Sequence, residues 1–225
     1  MQPFFISECG INHGGSLEYA FQQIETSVLC GANVAKFQMY DPLKLLGPES
    51  PYLAYATKCQ FTKGQHERLA RCCKASGIDY TVSVFEVKDL DWAASLSSFI
   101  KIASRMNTNG EFISKALTYN KPVIMSCQSN TDHLAATWLP LKFMWCVPKY
   151  PAAVDDYAGF EYSARYGMSS HCPDPKASVF AAHNGARIFE NHLTLNRNDE
   201  GCDHSSSIEP AEYARMITRI REICK

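Results

Sequence analysis

The sequence has no long apolar run, and its opening, MQPFFISECG, carries no basic segment ahead of the short run it does have. It reads as having neither a signal peptide nor a membrane span, and a cytoplasmic location is expected. Charge of one sign is lacking too: 22 basic against 23 acidic residues leave a formal net charge of −1. That balance argues against a general binder of nucleic acid or of anionic membranes, but not against a local anion pocket. No C-x-x-C pair occurs among the ten cysteines, which are scattered from Cys9 to Cys224. Without a secretion signal they read as reduced thiols rather than a disulfide framework. No internal repeat, linker or low-complexity stretch divides the chain, so residues 1–225 are expected to form one domain around one core.

What is present is an alternation. Eight short β-branched or aromatic runs, FFISEC, NVAKFQ, DYTVSV, FIKIAS, PVIMSC, KFMWCV, YGMSSH and RIFENH, are separated by helical stretches. From the third run onward their centres fall at Thr81, Ile102, Ile124, Trp145, Met168 and Phe189, a step of 21 to 23 residues. One strand, one short helix and two tight loops need about that length. SLEYAFQQIETSVLCGA has a Ser cap and ends at Gly31, TKGQHERLARCCKASGI ends at Gly77, and SIEPAEYARMITRIREICK has Glu and Pro in its first turn. Strands alternating with helices imply a covered parallel sheet. Eight such units predict a (β/α)8 barrel, near the lower size limit of about 200 residues. Two places break the rhythm. MYDPLKLLGPESPYLAYATKCQF, after the second strand, is long enough for either a lid or a surface excursion with a satellite core. QSNTDHLAATWLPL, between the fifth and sixth strands, leaves room for a helix of about two turns only.

In such a barrel the carboxyl ends of all strands converge on one mouth. Those ends carry Glu8, Lys36, Gln38, Ser83, Lys101, Ser104, Ser126, Tyr150, Ser169, His171, Glu190 and His192, with Asp203 in the loop beyond. Sorted by chemistry they form two sets. The lysines and serines suit a phosphate or carboxylate, as point charges and directional donors. Glu8, His171, Glu190, His192 and Asp203 suit a divalent cation and its waters. Plainer readings stand beside each: a buried lysine pairs with a barrel carboxylate, and a strand-end serine caps the next helix. His66, His133 and His183 read as structural, whereas His171 and His192 occupy equivalent places on neighbouring strands. Cys9, Cys127 and Cys146 read as small apolar fillers. In GINHGG, Gly10, Gly14 and Gly15 allow a sharp turn and Asn12 and His13 brace it.

SECGINHGGSLEYA, GANVAKFQ, FIKIAS, KPVIMS, YGMSSH and GARIFENHLTLNRNDEGCDHSSSIEP resemble, in order and spacing, the N-acetylneuraminate (sialic acid) synthase family, from about Phe4 to Glu212. The resemblance implies a (β/α)8 barrel. It implies a transferase that condenses phosphoenolpyruvate with an N-acetylhexosamine-type aldehyde, resembling N-acetylmannosamine, to a nonulosonic 2-keto acid and phosphate, assisted by Mn2+ or Mg2+. Carried over by position, His171 and His192 are metal ligands. Glu8, Glu190 and Asp203 hold metal-bound water and the acceptor. Lys101, Ser104, Ser126, Ser169, Ser83 and Tyr150 meet phosphoenolpyruvate, with Lys36 and Gln38 lining the same pocket. Three positions depart from the pattern: Ser170 stands for an aspartate, Pro148 for an asparagine, and Arg105 and Met106 occupy a place that often holds an acid. Family members also continue into an antifreeze-like domain that caps the site. No counterpart of that domain is expected within these 225 residues, and a homodimer or a separate capping protein is the expected partner. The alternatives are a related condensation to a shorter 3-deoxy sugar acid, or a barrel that binds metal and phosphoenolpyruvate without turnover.

Overall fold

The computed structural model describes residues 2–128 and 141–225. The eight expected runs are eight strands: β1 (Phe4–Gly10), β2 (Val34–Met39), β3 (Asp79–Val84), β4 (Ile100–Ile102), β5 (Val123–Cys127), β6 (Leu141–Cys146), β7 (Tyr166–Ser170) and β8 (Ile188–His192). All paired neighbours are parallel, in the order β3-β2-β1-β8-β7-β6-β5-β4. The eight strands form a nearly closed barrel. Its seam lies between β3 and β4, where β4 has only three residues to offer. There Ser98 N donates to Tyr80 O at 3.0 Å, while two hydroxyls stitch the rest: Thr81 Oγ1 donates to Phe99 O (3.0 Å) and Ser97 Oγ accepts from Val82 N (3.3 Å).

Three helices begin and end where their sequence signals stand. In α1 (Leu17–Cys30), Ser16 accepts from Tyr19 N, and Gly31 closes the helix at φ 85°. Two short helices, α2 (Pro42–Leu46) and α3 (Leu53–Lys58), fill the long segment after β2. In α4 (Lys63–Ala75), Thr62 and Gln65 cap each other reciprocally. Then come α5 (Leu90–Leu96), α6 (Gly110–Ala116), α7 (Lys176–His183) and α8 (Pro210–Ile223). α8 buries Tyr213, Met216, Ile217 and Ile220, an i, i+3, i+4, i+7 stripe packed with Phe5 and Phe189 on the outer wall. Each such side chain contributes roughly 1.5–3 kcal/mol on burial. The helix expected within 129–140 lies outside the described residues, as does His133.

Strand alternation explains why a polar mouth sits on a dry plug. Ile6, Val34, Phe99, Ile124, Met144 and Ile188 point inward and form a separate apolar cluster. Two residues farther along the same strands stand Glu8, Lys36, Lys101, Ser126, Cys146 and Glu190. Another two residues on three of those strands bring Gly10, Gln38 and His192. The segment after β2 holds the satellite core that one of its two readings expected. Tyr40, Ala56 and Cys59 bury with Ile11 as a satellite core, joined by Leu45, Leu46, Tyr55 and Cys202, and that core walls one side of the mouth.

Candidate active site

Above the plug opens a cavity of about 450 Å³, and twelve of the thirteen expected site residues lie on its wall: Glu8, Lys36, Gln38, Lys101, Ser104, Ser126, Tyr150, Ser169, His171, Glu190, His192 and Asp203. The thirteenth, Ser83, sits directly behind it, 3.4 Å from Lys36 Nζ. Strand register brings them together. Glu8 is opposite Lys36 on one side and His192 on the other, and Ser169 is opposite Glu190.

The two chemical sets anticipated from sequence do not remain apart. Lys36 Nζ lies 2.9 Å from Glu8 Oε2 and 3.5 Å from Glu190 Oε2, with all three side chains buried. Lys101 Nζ lies 3.8 Å from Glu190 Oε1 and donates to Ser126 Oγ (2.9 Å) and Ile102 O (3.0 Å). Glu190 also accepts from Ser169 Oγ at 2.9 Å. Two of the acids placed with the histidines are therefore interlocked with the lysines, because a buried ammonium needs a counter-charge. Burial alone pushes Glu190 upward, but Lys101, Lys36 and Ser169 outweigh it and hold its pKa below the ordinary value. Lys36 is drawn down by burial, yet Glu190 and Glu8 together raise it. Lys101 has less compensation, and burial lowers it. Ser83, Ser126 and Ser169 bond the ionic layer, and the N-cap positions of α5, α6 and α7 fall instead on Asp89, Asn109 and Pro175.

The imidazoles form the other wall, with ring centroids 5.4 Å apart. His171 Nδ1 donates to Val147 O at 2.7 Å, which fixes the tautomer and leaves the Nε2 lone pair facing the cavity. The Tyr150 hydroxyl meets that nitrogen at 2.8 Å, so Tyr150 stands on the histidine side of the mouth. Burial and the neighbouring His192 lower the His171 pKa to about 3, keeping it neutral. His192 Nδ1 is buried without a hydrogen-bond partner, 3.8 Å from Asp203 Oδ2. A neutral ring whose Nε2 lone pair is met by the Tyr150 hydroxyl, beside another with an orphaned nitrogen, fits a two-imidazole cation site. Among the described residues no third His, Cys, Asp or Glu joins them at one point, so water or substrate oxygen would complete the shell.

The GINHGG turn keeps the mouth open. Gly10, Gly14 and Gly15 have φ of 52°, 56° and 86°. A Cβ on Gly15 would lie 2.3 Å from Lys58 O, so the close approach of α3 depends on glycine there. Asn12 braces the turn, donating to Leu193 O (3.0 Å) and Ser207 Oγ (2.8 Å). His13 stacks on Phe61 at 3.9 Å. His66 is fully buried, bonded to the Tyr80 hydroxyl at 2.9 Å, in keeping with a structural role. All ten cysteines are free thiols; Cys146, read from sequence as filler, lines the cavity with its Sγ 3.7 Å from His171 Nε2. Arg105, Gln128, Tyr55 and Cys202 also line it. Cys146 was findable by alternation from Met144; the others lie on loops or lid helices, where no period points.

Known proteins resemble this chain along nearly its whole length. N-acetylneuraminate-9-phosphate synthase of Mus musculus is 26% identical over 249 residues, covering 97% of this chain and 69% of that protein. N,N'-diacetyllegionaminic acid synthase of Campylobacter jejuni is 26% identical, covering 100% and 77%. The N-acetylneuraminic acid (sialic acid) synthetase of Leptospira borgpetersenii, solved in complex with citrate, superposes with a TM-score of 0.89 at 26% identity, over 99% of this chain and 84% of that one. The NeuB family model matches residues 23–225, a span holding β2 through β8 and with them Lys36, Lys101, Glu190 and the imidazole pair; the chain belongs to the NeuB family.

Proposed function

We propose that this protein condenses phosphoenolpyruvate with an amino-sugar aldehyde of the N-acetylmannosamine type, forming a nonulosonic 2-keto acid and free phosphate. The observation that carries the reading is the stacking of two layers in one cavity: buried lysines among hydroxyls, and above them two imidazoles, one with its Nε2 met by the Tyr150 hydroxyl and the other with an orphaned Nδ1. Lys101 presents a fixed cation to an oxyanion at the floor, and Ser104, Ser126 and Ser169 offer hydroxyls around it. Lys36 adds a second charge and ties Glu8 and Glu190 in place. This holds the nucleophilic carbon of phosphoenolpyruvate beneath the acceptor, a positional contribution to rate. A divalent ion held by His171 and His192 would supply Lewis-acid polarisation of the acceptor carbonyl.

In the reaction, C3 of phosphoenolpyruvate bonds to the aldehyde carbon, a water oxygen bonds to C2, and the C2–O bond breaks to release phosphate. Glu8, with Gln38 Nε2 on one oxygen (2.5 Å) and Lys36 on the other, is the cavity-wall acceptor for a proton from that water. The relatives, named as synthases of N-acetylneuraminate 9-phosphate and of diacetyllegionaminic acid, support this class of product.

The test is product mass and phosphate release after incubation with phosphoenolpyruvate, Mn2+ and a panel of hexosamines, pentoses and tetroses. The expected product is an N-acylated hexosamine extended by a pyruvyl unit, formed only with a divalent ion and lost in His171→Ala. No phosphate release with any acceptor refutes the synthase reading, and a product from a pentose or tetrose replaces it with a shorter sugar acid.

A further inference from the structure

The hydroxyl of Tyr150 and a divalent ion need the same lone pair. His171 Nδ1 is committed to Val147 O at 2.7 Å, so Nε2 is the acceptor of that ring, and the Tyr150 O–H donates to it at 2.8 Å. An imidazole nitrogen binds a divalent ion such as zinc through that lone pair, at about 2.0–2.1 Å. The hydroxyl proton and an ion cannot share it. The Cys146 thiol also lies against this nitrogen, but at 3.7 Å, which makes it the weaker occupant.

Tyr150 is placed to leave. It belongs to no strand or helix, standing in the connection between β6 and β7, and it is 54% exposed although it lines the cavity. Among the described residues its hydroxyl has no hydrogen-bond partner besides His171. The ring lies on His171 with centroids 3.9 Å apart and planes 26° apart, and it meets His192 in a T-shaped contact at 6.1 Å. It therefore spans both imidazoles while being held by one neutral hydrogen bond and its stacking. The floor of the cavity is different, since Lys36 and Lys101 are tied there to buried carboxylates. A neutral phenol is also not among the oxygen donors that hard divalent ions favour, which are carboxylates, carbonyls and water. Displacement of the hydroxyl is thus favoured over its recruitment as a ligand.

We propose that Tyr150 is a displaceable cap on His171: a divalent ion reaches Nε2 only as the hydroxyl gives up its bond and turns toward the mouth. This rests on the two-imidazole site of the synthase reading above. Cation binding is then reported by Tyr150 itself, and the affinity for the ion is lowered by the bond that must break. The net worth of one neutral hydrogen bond corresponds to about fivefold in that affinity.

The experiment titrates Mn2+ into the wild type, Tyr150→Phe and His171→Ala, following heat by calorimetry and the tyrosine difference band in the near ultraviolet. Tyr150→Phe keeps the ring and its stacking and removes only the hydroxyl. The wild type is expected to give a tyrosine difference signal that saturates with the ion. Tyr150→Phe should lose that signal and bind Mn2+ about fivefold more tightly, and His171→Ala should lose both binding and signal. An affinity unchanged within about twofold in Tyr150→Phe overturns the cap and makes the hydroxyl a bystander. A weakened affinity overturns it too and makes Tyr150 a ligand. So does a difference signal that is missing from the wild type or that persists in Tyr150→Phe. All three results leave the synthase reading standing. Failure of the wild type to bind Mn2+, or binding untouched by His171→Ala, overturns the two-imidazole site of that reading and the cap with it.

Discussion

Lys36→Met isolates the electrostatic lock at the centre of the barrel. The substitution keeps most of the side-chain volume and removes the ammonium that stands 2.9 Å from Glu8 and 3.5 Å from Glu190. The two carboxylates, 1% and 6% exposed, are then left with Lys101 alone, 3.8 Å from one of them. Removing one partner of a buried ion pair costs about 3–5 kcal/mol, because the remaining charge has lost its water without a substitute. For a domain of this size that corresponds to a fall in Tm of roughly 10 °C. The loss should depend on pH. With the cation gone, the folded-state carboxylates bind protons more readily than in the unfolded chain. The folded state then takes up a proton well before the unfolded state does near pH 4.3, so the deficit is greatest at neutral pH and narrows on mild acidification. Urea unfolding of Lys36→Met, Glu8→Gln and the double variant gives the coupling energy directly. The double variant, which removes one charge of each sign, should be more stable than the sum of the single losses by at least about 2 kcal/mol. A loss below about 1 kcal/mol in Lys36→Met, or strict additivity in the double variant, would refute the lock.

Two other variants separate chemistry from fold. Glu8→Gln retains the Gln38 contact but cannot accept a proton; turnover should fall about a hundredfold, the usual scale for loss of a general base, while Glu190 still holds Lys36 and the variant stays folded. Activity retained alongside a large drop in Tm assigns Glu8 to stability alone. His66 has its pKa lowered to about 4 by burial. Stability is therefore unaffected by this group above pH 6.5 and falls progressively as the pH drops, the loss reaching about 3 kcal/mol once the pH is below about 4. His66→Gln, which can still bond the Tyr80 hydroxyl, should flatten that part of the acid-unfolding curve; an unchanged slope between pH 6.5 and 4 rules the assignment out.

The sequence by itself determined the barrel and most of its mouth. Parallel strands covered by helices must be apolar on both faces, so the runs and their spacing were legible. The strand-end residues could be read because a barrel gathers every carboxyl end at one rim. Period-two alternation even orders the layers, from Ile6 to Glu8 to Gly10 and from Val34 to Lys36 to Gln38. Only the tertiary structure decided which charges meet. Glu190 could have faced His192 or the lysines, and the closing geometry set it against Lys36 and Lys101, where burial makes an unpaired ammonium costly. Likewise Tyr150 joined the histidine wall, and the segment after β2 became both satellite core and cavity wall. Arg105 appears in the sequence merely as a departure from a pattern. Its place at the rim depends on how a three-residue strand and the following turn meet the lid helix, and no periodicity encodes that contact.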